Sequence, residues 1–233
     1  MSTRLSLAGA LGMALAALAG ATAPASRAAD ECQGLQVCIP VAGPWVVIPG
    51  AAPKLVQWQL TCPEGIVAGV DARVADQGTD VTFDGLVGSP VGPGRTTRNT
   101  LLFTARATAP TKAPTSFQPF IGCVPASGGS RTPTAFRPGS PTVLRVLTLR
   151  VAAGGVARGA QGCHADERLL QAGVAVGLRT TVEPTPGQLA GVRLAADVRG
   201  GKVVAAAERR AAIDPAIAVE VQLQALCTRG RTP

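Results

Sequence analysis

The chain has 233 residues and a formal net charge of +8 at pH 7, with 46% hydrophobic residues but only 3% aromatic ones, six cysteines, one histidine and no tyrosine. So few aromatic faces argue against a reader of single-stranded nucleic acid, which stacks bases on Phe, Tyr or Trp, and the lack of any C-x-x-C spacing argues against a zinc site. Arg outnumbers Lys by 19 to 3 beside abundant Ala, Gly, Val and Pro, the usage of a GC-rich bacterial coding sequence, and only Arg209 and Arg210 are adjacent, so the charge forms no binding block.

Arg4 precedes an Ala/Leu/Gly-rich run from Leu5 to about Ala23, followed by A-x-A-like cleavage options after Ala25 or Ala28. Residues 1–28 read as a secretory signal peptide. An uncleaved anchor is the alternative, because the run is near the length of a spanning helix; the Ala and Gly content, Pro24 and the single basic flank favour cleavage. Removing them leaves 205 residues with no further integral membrane segment, and the loss of Arg4 and Arg27 lowers the basic count from 22 to 20 against 14 acidic residues. All six cysteines remain. An even number of thiols in an exported chain predicts disulfides, in a periplasm or outside the cell.

Strand periodicity dominates the remainder of the chain. "GPWVVIPG" holds Trp45 before a short apolar strand, either as the plug of a sheet or as an exposed partner-binding anchor. "KLVQWQLTC" puts Val56, Trp58, Leu60 and Cys62 on one face. After the turn "PEG", "IVAGVDARV" aligns Ile66, Ala68, Val70, Ala72 and Val74; "TDVTFDG" aligns Val81 with Phe83, and "TLLFTARA" aligns Leu101, Phe103 and Ala105. The stretch from Gly85 to Asn99 is too rich in Gly and Pro for a central strand, since Pro donates no ladder hydrogen bond. Its Arg95 and Arg98 are candidate partner-binding residues.

Seven prolines between Ala107 and Thr142 mark a linker or long loop, with the boundary at 126–141. Residues 29–125 form a first module and 142–233 a second. In the second, "TVLRVLTLRV" and "RLLQAGVAVGL" are strands, and "GVRLAADVRGGKVVAAAERR" is a hairpin turning at Gly200 and Gly201, with Val192, Leu194, Ala196 and Val198 as an inward row. "KVVAAAERRAA" has good helix formers but reads as strand because of its β-branched pair and the preceding glycines. The last strand, "AVEVQLQALC", shows Val219, Val221, Leu223, Ala225 and Cys227 on one side and Glu220, Gln222 and Gln224 on the other.

The intervals Cys62 to Cys123 and Cys163 to Cys227 are nearly equal, and each opens with a cysteine, a polar turn and an apolar strand, the pattern of a duplicated module. The predicted bridges are Cys62–Cys123, Cys163–Cys227 and Cys32–Cys38, chosen from fifteen pairings. Closing each long loop stabilises by about 4 kcal/mol. The expected fold is all-β: two tandem disulfide-stapled antiparallel β-sandwich-like modules, or alternatively one larger β-sandwich.

Chemistry is sparse. His164 sits beside a cysteine assigned to a bridge; Asp166 and Glu167 are near enough to orient it, but a solvated turn residue is the plainer reading. No G-x-S-x-G elbow occurs, and six oxidised cysteines leave no thiolate nucleophile. Asp76, Asp80 and Asp84 are the one weak metal candidate, for Ca²⁺, because Asp80 and Asp84 share a strand face; alternation alone would turn them to water. No cofactor, catalytic residue or nucleic-acid partner is expected. The sequence predicts an exported non-enzymatic β scaffold binding a protein or cell-envelope component through its loops. A secreted hydrolase with a carboxylate site at Asp76, Asp80 and Asp84, or a basic adhesin for anionic surface polymers, is the alternative.

Overall fold

The computed structural model describes residues 38–50, 55–85, 99–124 and 142–229. The signal segment 1–28, Cys32, Arg95, Arg98 and the boundary segment 126–141 lie outside the described residues. Among the described residues the chain is almost wholly β. The first half contains β1 (Ile39–Ala42), β2 (Trp45–Ile48), β3 (Val56–Thr61), β4 (Ile66–Val74), β5 (Thr79–Gly85), β6 (Thr100–Ala107) and β7 (Thr115–Val124). The second contains β8 (Thr142–Val151), β9 (Val156–Gly162), β10 (Glu167–Arg179), a single helical turn α1 (Pro186–Leu189), β11 (Val192–Arg199), β12 (Lys202–Arg209) and β13 (Ala218–Arg229).

Every ladder is antiparallel. A seven-stranded sheet runs through both halves. In it β4 pairs one edge of β7, while β1 and β2 lie end to end along the other, opposite Phe120–Cys123 and Thr115–Phe117. The sheet then crosses to the second half through only two residue pairs, Val46 with Gly177 and Trp45 with Leu178, and continues through β10, β13 and β8. Two three-stranded sheets, β3-β6-β5 and β11-β12-β9, complete the fold.

The two small sheets cover opposite faces of the large one. On β2 and β10 the side chains alternate between two cores: Val46, Ile48 and Ala175 pack with Trp58, Leu101 and Phe103, whereas Val47, Val176 and Leu178 pack with Val221, Leu223 and Ala207. Because successive strand residues face opposite sides, one core lies above the shared sheet and the other below it. Each half is thus a sandwich, and each sandwich borrows its inner wall from the same sheet.

The cysteines pin each sandwich across its core. Cys62, just after β3, bonds Cys123 of β7 with Cα atoms 5.7 Å apart, and Cys163, just after β9, bonds Cys227 of β13 at 5.6 Å. These are the two long pairings that the spacing predicts. A buried row ends in cysteine because that position faces the opposite sheet, where the partner thiol stands. Cys38 is also disulfide-bonded; its predicted partner Cys32 lies outside the described residues.

Several expectations need correction. Composition marks the Pro-rich segment 107–142 as loop or linker throughout, yet Thr115–Val124 is the central strand of the first half, buried over nine of its ten residues. Pro119 is tolerated there because β1 and β2 break opposite it. Gly43 stands in the break and donates its N–H to the Pro119 carbonyl at 2.8 Å, and a Cβ on Gly43 would come within 2.6 Å of Pro119 Cγ. On β4 the register shifts between Val67 and Gly69, so Val67 enters the core ahead of Val70 and Ala72 in place of the straight row from Ile66 through Ala68. That is the action of a β-bulge, which reverses the facing of everything before it. Phe83 does not share the burial of Val81: it is 53% exposed, at the outer strand of its sheet.

The opposite side of β13 is the largest departure. Glu220, Gln222 and Gln224 are buried although alternation places them on a polar face. That face meets the free edge of β3. Gln59 donates its backbone N–H to Gln222 Oε1 at 2.9 Å, Gln222 Nε2 donates to the Gln59 carbonyl at 2.9 Å, and Gln224 Nε2 donates to the Gln57 carbonyl at 2.8 Å. Glu220 takes a two-pronged ion pair from Arg179, whose third nitrogen donates to the Ala42 carbonyl at 3.2 Å. Side chains of the last strand therefore hold the backbone of the first half.

Candidate functional site

The residues singled out for chemistry do not converge. Asp76 accepts the Gly78 N–H in the turn between β4 and β5 at 3.0 Å, and Asp80 pairs with Arg106 on the exposed face of β5 and β6 at 3.4 Å. Asp84 lies further along β5. Among the described residues the one set of three ligand-type side chains with atoms within 4.8 Å of one another is Cys163, Glu167 and Cys227, not the aspartates. That set holds no open cation site either, because both sulfurs are joined in the disulfide.

His164 is an exposed turn residue whose backbone N–H donates to Glu167 Oε2 at 2.9 Å. Glu167 is committed elsewhere: Arg145 Nε and Nη2 donate to its two oxygens at 2.8 and 2.7 Å. Those bonds, helped by the His164 N–H, hold the pKa of its carboxyl down to about 2 against the opposing effect of burial. The arrangement locks the end of the second sandwich beside the disulfide and commits Glu167 to Arg145 and to the His164 backbone. Trp45 is fully buried, on the strand position opposite Leu178, and is no surface anchor.

A cleft of about 410 Å³ opens between the halves, between the Ala75 turn and Lys112–Thr115 on one side and Glu183–Leu189 on the other. Its charged residues Asp76, Lys112 and Glu183 form no ion pair with one another. Three prolines, Pro114, Pro184 and Pro186, line it.

The second sandwich, by contrast, is open along one side. β10 pairs with β13 along its whole length, but its other edge meets β2 only at Gly177 and Leu178. From Glu167 to Val176 no strand pairs with that edge among the described residues. In an antiparallel ladder alternate residues direct N–H and C=O away from the partner, so a row of backbone donors and acceptors faces outward there. β11 packs above β10 and pairs only with β12, so its outer edge is unpaired too.

Between these two edges lies an apolar row that the described strands cover only in part. Leu194, Ala196 and Val198 stand on the same face as Ala207, Ala205 and Val203 of β12, opposite them in register, and Val192 continues the row. The β12 residues are buried over β13, but Leu194 is 37% and Val198 49% exposed. The inward row predicted for this hairpin does point inward; the shared sheet simply ends at β10, one strand short of covering it. Leu170, the extra residue in the bulge of β10, is also exposed. Hydrophobic periodicity finds this row, but which strand lacks an opposite number depends on long-range pairing that no local pattern reports.

The rim carries charges of both signs, with Glu208 cross-strand from Arg193 and Asp166 two residues before Arg168. Arg168 and Arg193 have no ion-pair partner among the described residues. Asp197 is engaged by Arg199 at 2.9 Å, and that bond, with the Val198 N–H, holds its carboxyl below the usual range. Among the described residues no helix is long and apolar enough to cross a membrane. No protein-family model matches the chain, and no curated protein or solved structure is significantly similar to it.

Proposed function

We propose that the chain is an exported, non-enzymatic β scaffold that binds a protein or cell-envelope component on the open side of its second sandwich. The observation that carries this reading is the pair Leu194 and Val198, exposed at alternating positions of one strand between two unpaired edges. Soluble domains rarely leave an apolar row beside free backbone groups unless a partner covers it. The scaffold suits the role: two disulfides and the two-pronged pairs Arg179–Glu220 and Arg145–Glu167, whose glutamates are buried, make it rigid, and a rigid surface spends little free energy on ordering when it binds.

The test is saturable capture from envelope extract by immobilised protein, comparing the wild type with a Leu194→Asp, Val198→Asp double variant and with an Arg95→Glu, Arg98→Glu variant. Loss of capture in the first variant supports the reading. Loss only in the second would return the binding surface to the loop between β5 and β6. Capture that falls steeply with salt and ignores Leu194 would favour a polyanion adhesin, and hydrolytic turnover abolished by Asp80→Ala with Asp84→Ala would replace the scaffold reading with a hydrolase.

A further inference from the structure

We propose that the protein cuts its own chain between Asp214 and Pro215, in the loop from β12 to β13, and continues as two polypeptides joined by the Cys163–Cys227 bridge. The proposal goes beyond the scaffold reading and does not depend on it. Its basis is the way one peptide carbonyl is held.

Asp214–Pro215 is the one Asp–Pro link in the chain. In such a link the side-chain carboxyl can close a five-membered ring on the neighbouring carbonyl carbon, and the tertiary proline nitrogen takes up a proton more readily than an ordinary amide. Here the link sits at the exposed apex of a turn whose shoulders, Ile213 and Ile217, are buried in the second core. The Ile217 backbone N–H donates to the Asp214 carbonyl at 2.9 Å, with Pro215 at the β-turn position that favours proline. One carboxylate oxygen of Asp214 accepts the Ala216 N–H at 2.9 Å, which keeps the carboxyl beside the link. The carboxyl forms no ion pair among the described residues.

The second donor to the same carbonyl is a buried cation. Arg209 is only 6% exposed, on the inner face of β12 in line with Ala205 and Ala207, and its Nη2 donates to the Asp214 carbonyl oxygen at 2.5 Å. No carboxylate pairs with it among the described residues. Buried charges ordinarily have a counter-charge. This guanidinium instead faces an oxygen that becomes anionic only when its carbonyl carbon is attacked. Two donors on one carbonyl, one of them a desolvated cation, are what stabilises a tetrahedral oxyanion.

The reaction balances with one water. The Asp214 carboxyl passes its proton to the Pro215 nitrogen, and its oxygen bonds to the Asp214 carbonyl carbon. The C–N bond then breaks, leaving a cyclic anhydride on Asp214 and a free secondary amine on Pro215. Water opens the anhydride and restores the carboxyl, so the net change is hydrolysis of one peptide bond without oxidation or reduction. Residues 215–233 stay in place, because β13 remains paired with β8 and β10 and Cys227 remains bonded to Cys163. The bridge becomes the covalent tie to the strand whose Gln222 and Gln224 hold the first half.

The test is incubation of the purified, disulfide-intact protein at about pH 5, where carboxyl groups are protonated for part of the time, followed by electrophoresis and mass spectrometry. Without reductant the product should run as one species heavier by one water; after reduction it should separate into chains ending at Asp214 and beginning at Pro215. The folded protein should cut about tenfold or more faster than the same protein unfolded in urea. Asp214→Asn and Pro215→Ala, both at the exposed apex, should slow the cut about a hundredfold, and Arg209→Gln by a similar factor. Near-ultraviolet circular dichroism checks that the variants fold; if Arg209→Gln does not, Asp214→Asn and the comparison of folded with unfolded wild type decide the matter. Equal rates in the folded and unfolded wild type would overturn the proposal, because the link would then break by its own acid lability. A folded wild type that stays whole, or a folded Asp214→Asn or Arg209→Gln variant that cuts at the wild-type rate, would overturn it too.

Discussion

Gln222 on the last strand and Gln59 on the third, 163 residues apart in the chain, exchange two hydrogen bonds of 2.9 Å, the side-chain amide of one matching the peptide group of the other. A glutamine amide has the donor and acceptor of a peptide unit, so Gln222 acts as a one-residue substitute for a neighbouring strand. Gln224 extends the arrangement to the Gln57 carbonyl. The edge of β3, which no described strand covers, is closed by side chains.

Replacing Gln222 by leucine should therefore cost about 2–3 kcal/mol, because it strands a donor and an acceptor of Gln59 rather than removing a contact between side chains. A Gln222→Glu variant should be destabilised at neutral pH, where the introduced carboxylate faces the Gln59 carbonyl, and should regain part of the loss in acid when it can donate. Urea midpoints across pH measure both. A leucine variant as stable as the wild type would mean that water serves this edge equally well.

The Glu167 carboxyl, lowered from 4.5 to about 2 chiefly by Arg145, ties stability to acid. Since the folded-state value lies below the unfolded one, the pair stabilises fully above about pH 4.5 and loses its contribution as the pH falls towards 2. Glu167→Gln should unfold more readily at pH 7, by about 2 kcal/mol, and its stability should change less than that of the wild type between pH 4.5 and 2. Parallel slopes for the two proteins in that window would remove the linkage.

The two bridges should not weigh equally in practice. Each closes a loop of similar length, 61 and 64 residues of separation, and chain entropy assigns about 4 kcal/mol to either. The first core, however, contains Trp58, Phe103 and Phe117, whereas the second is built of aliphatic residues and alanine. Paired serine variants at Cys163 and Cys227 should abolish the cooperative transition of the second sandwich; the same change at Cys62 and Cys123 should lower its midpoint and leave a folded protein. Calorimetry distinguishes the two outcomes.

At the junction of the halves, Gly177 lets β10 approach β2: a Cβ there would lie 2.5 Å from Pro44 Cγ and 3.0 Å from Trp58 Cη2. Gly177→Ala should destabilise by about 1–3 kcal/mol through overpacking, and adding Pro44→Ala should restore part of it. An alanine variant of unchanged melting temperature would show that the two halves separate without cost.

Much of this protein is legible without coordinates, for a definite reason. Alternation in "KLVQWQLTC", "TLLFTARA" and "AVEVQLQALC" reports local geometry, and two near-equal cysteine intervals, each opening on a turn and a strand, pair the bridges. Where local signals are weak the legibility fails: Pro119 hides β7, Gly159 and Ala160 leave β9 with little to show as a strand, and the register shift after Val67 cannot be seen from residue types. Among candidate site residues, the aspartates and His164 are placed on exposed or half-buried turns and strand faces, and only burial shows that Trp45 is no surface anchor.

Residue order alone thus determines that the chain forms disulfide-pinned antiparallel strands, since side-chain period and cysteine spacing are properties of neighbours along the chain. Tertiary structure alone decides that both halves share one sheet, that Gln222 and Gln224 are buried, and that β11 hangs beyond the last strand beneath it. A period of two says that the two faces of a strand differ in chemistry. Whether a polar face meets water or the edge of another strand depends on what the rest of the chain brings to it.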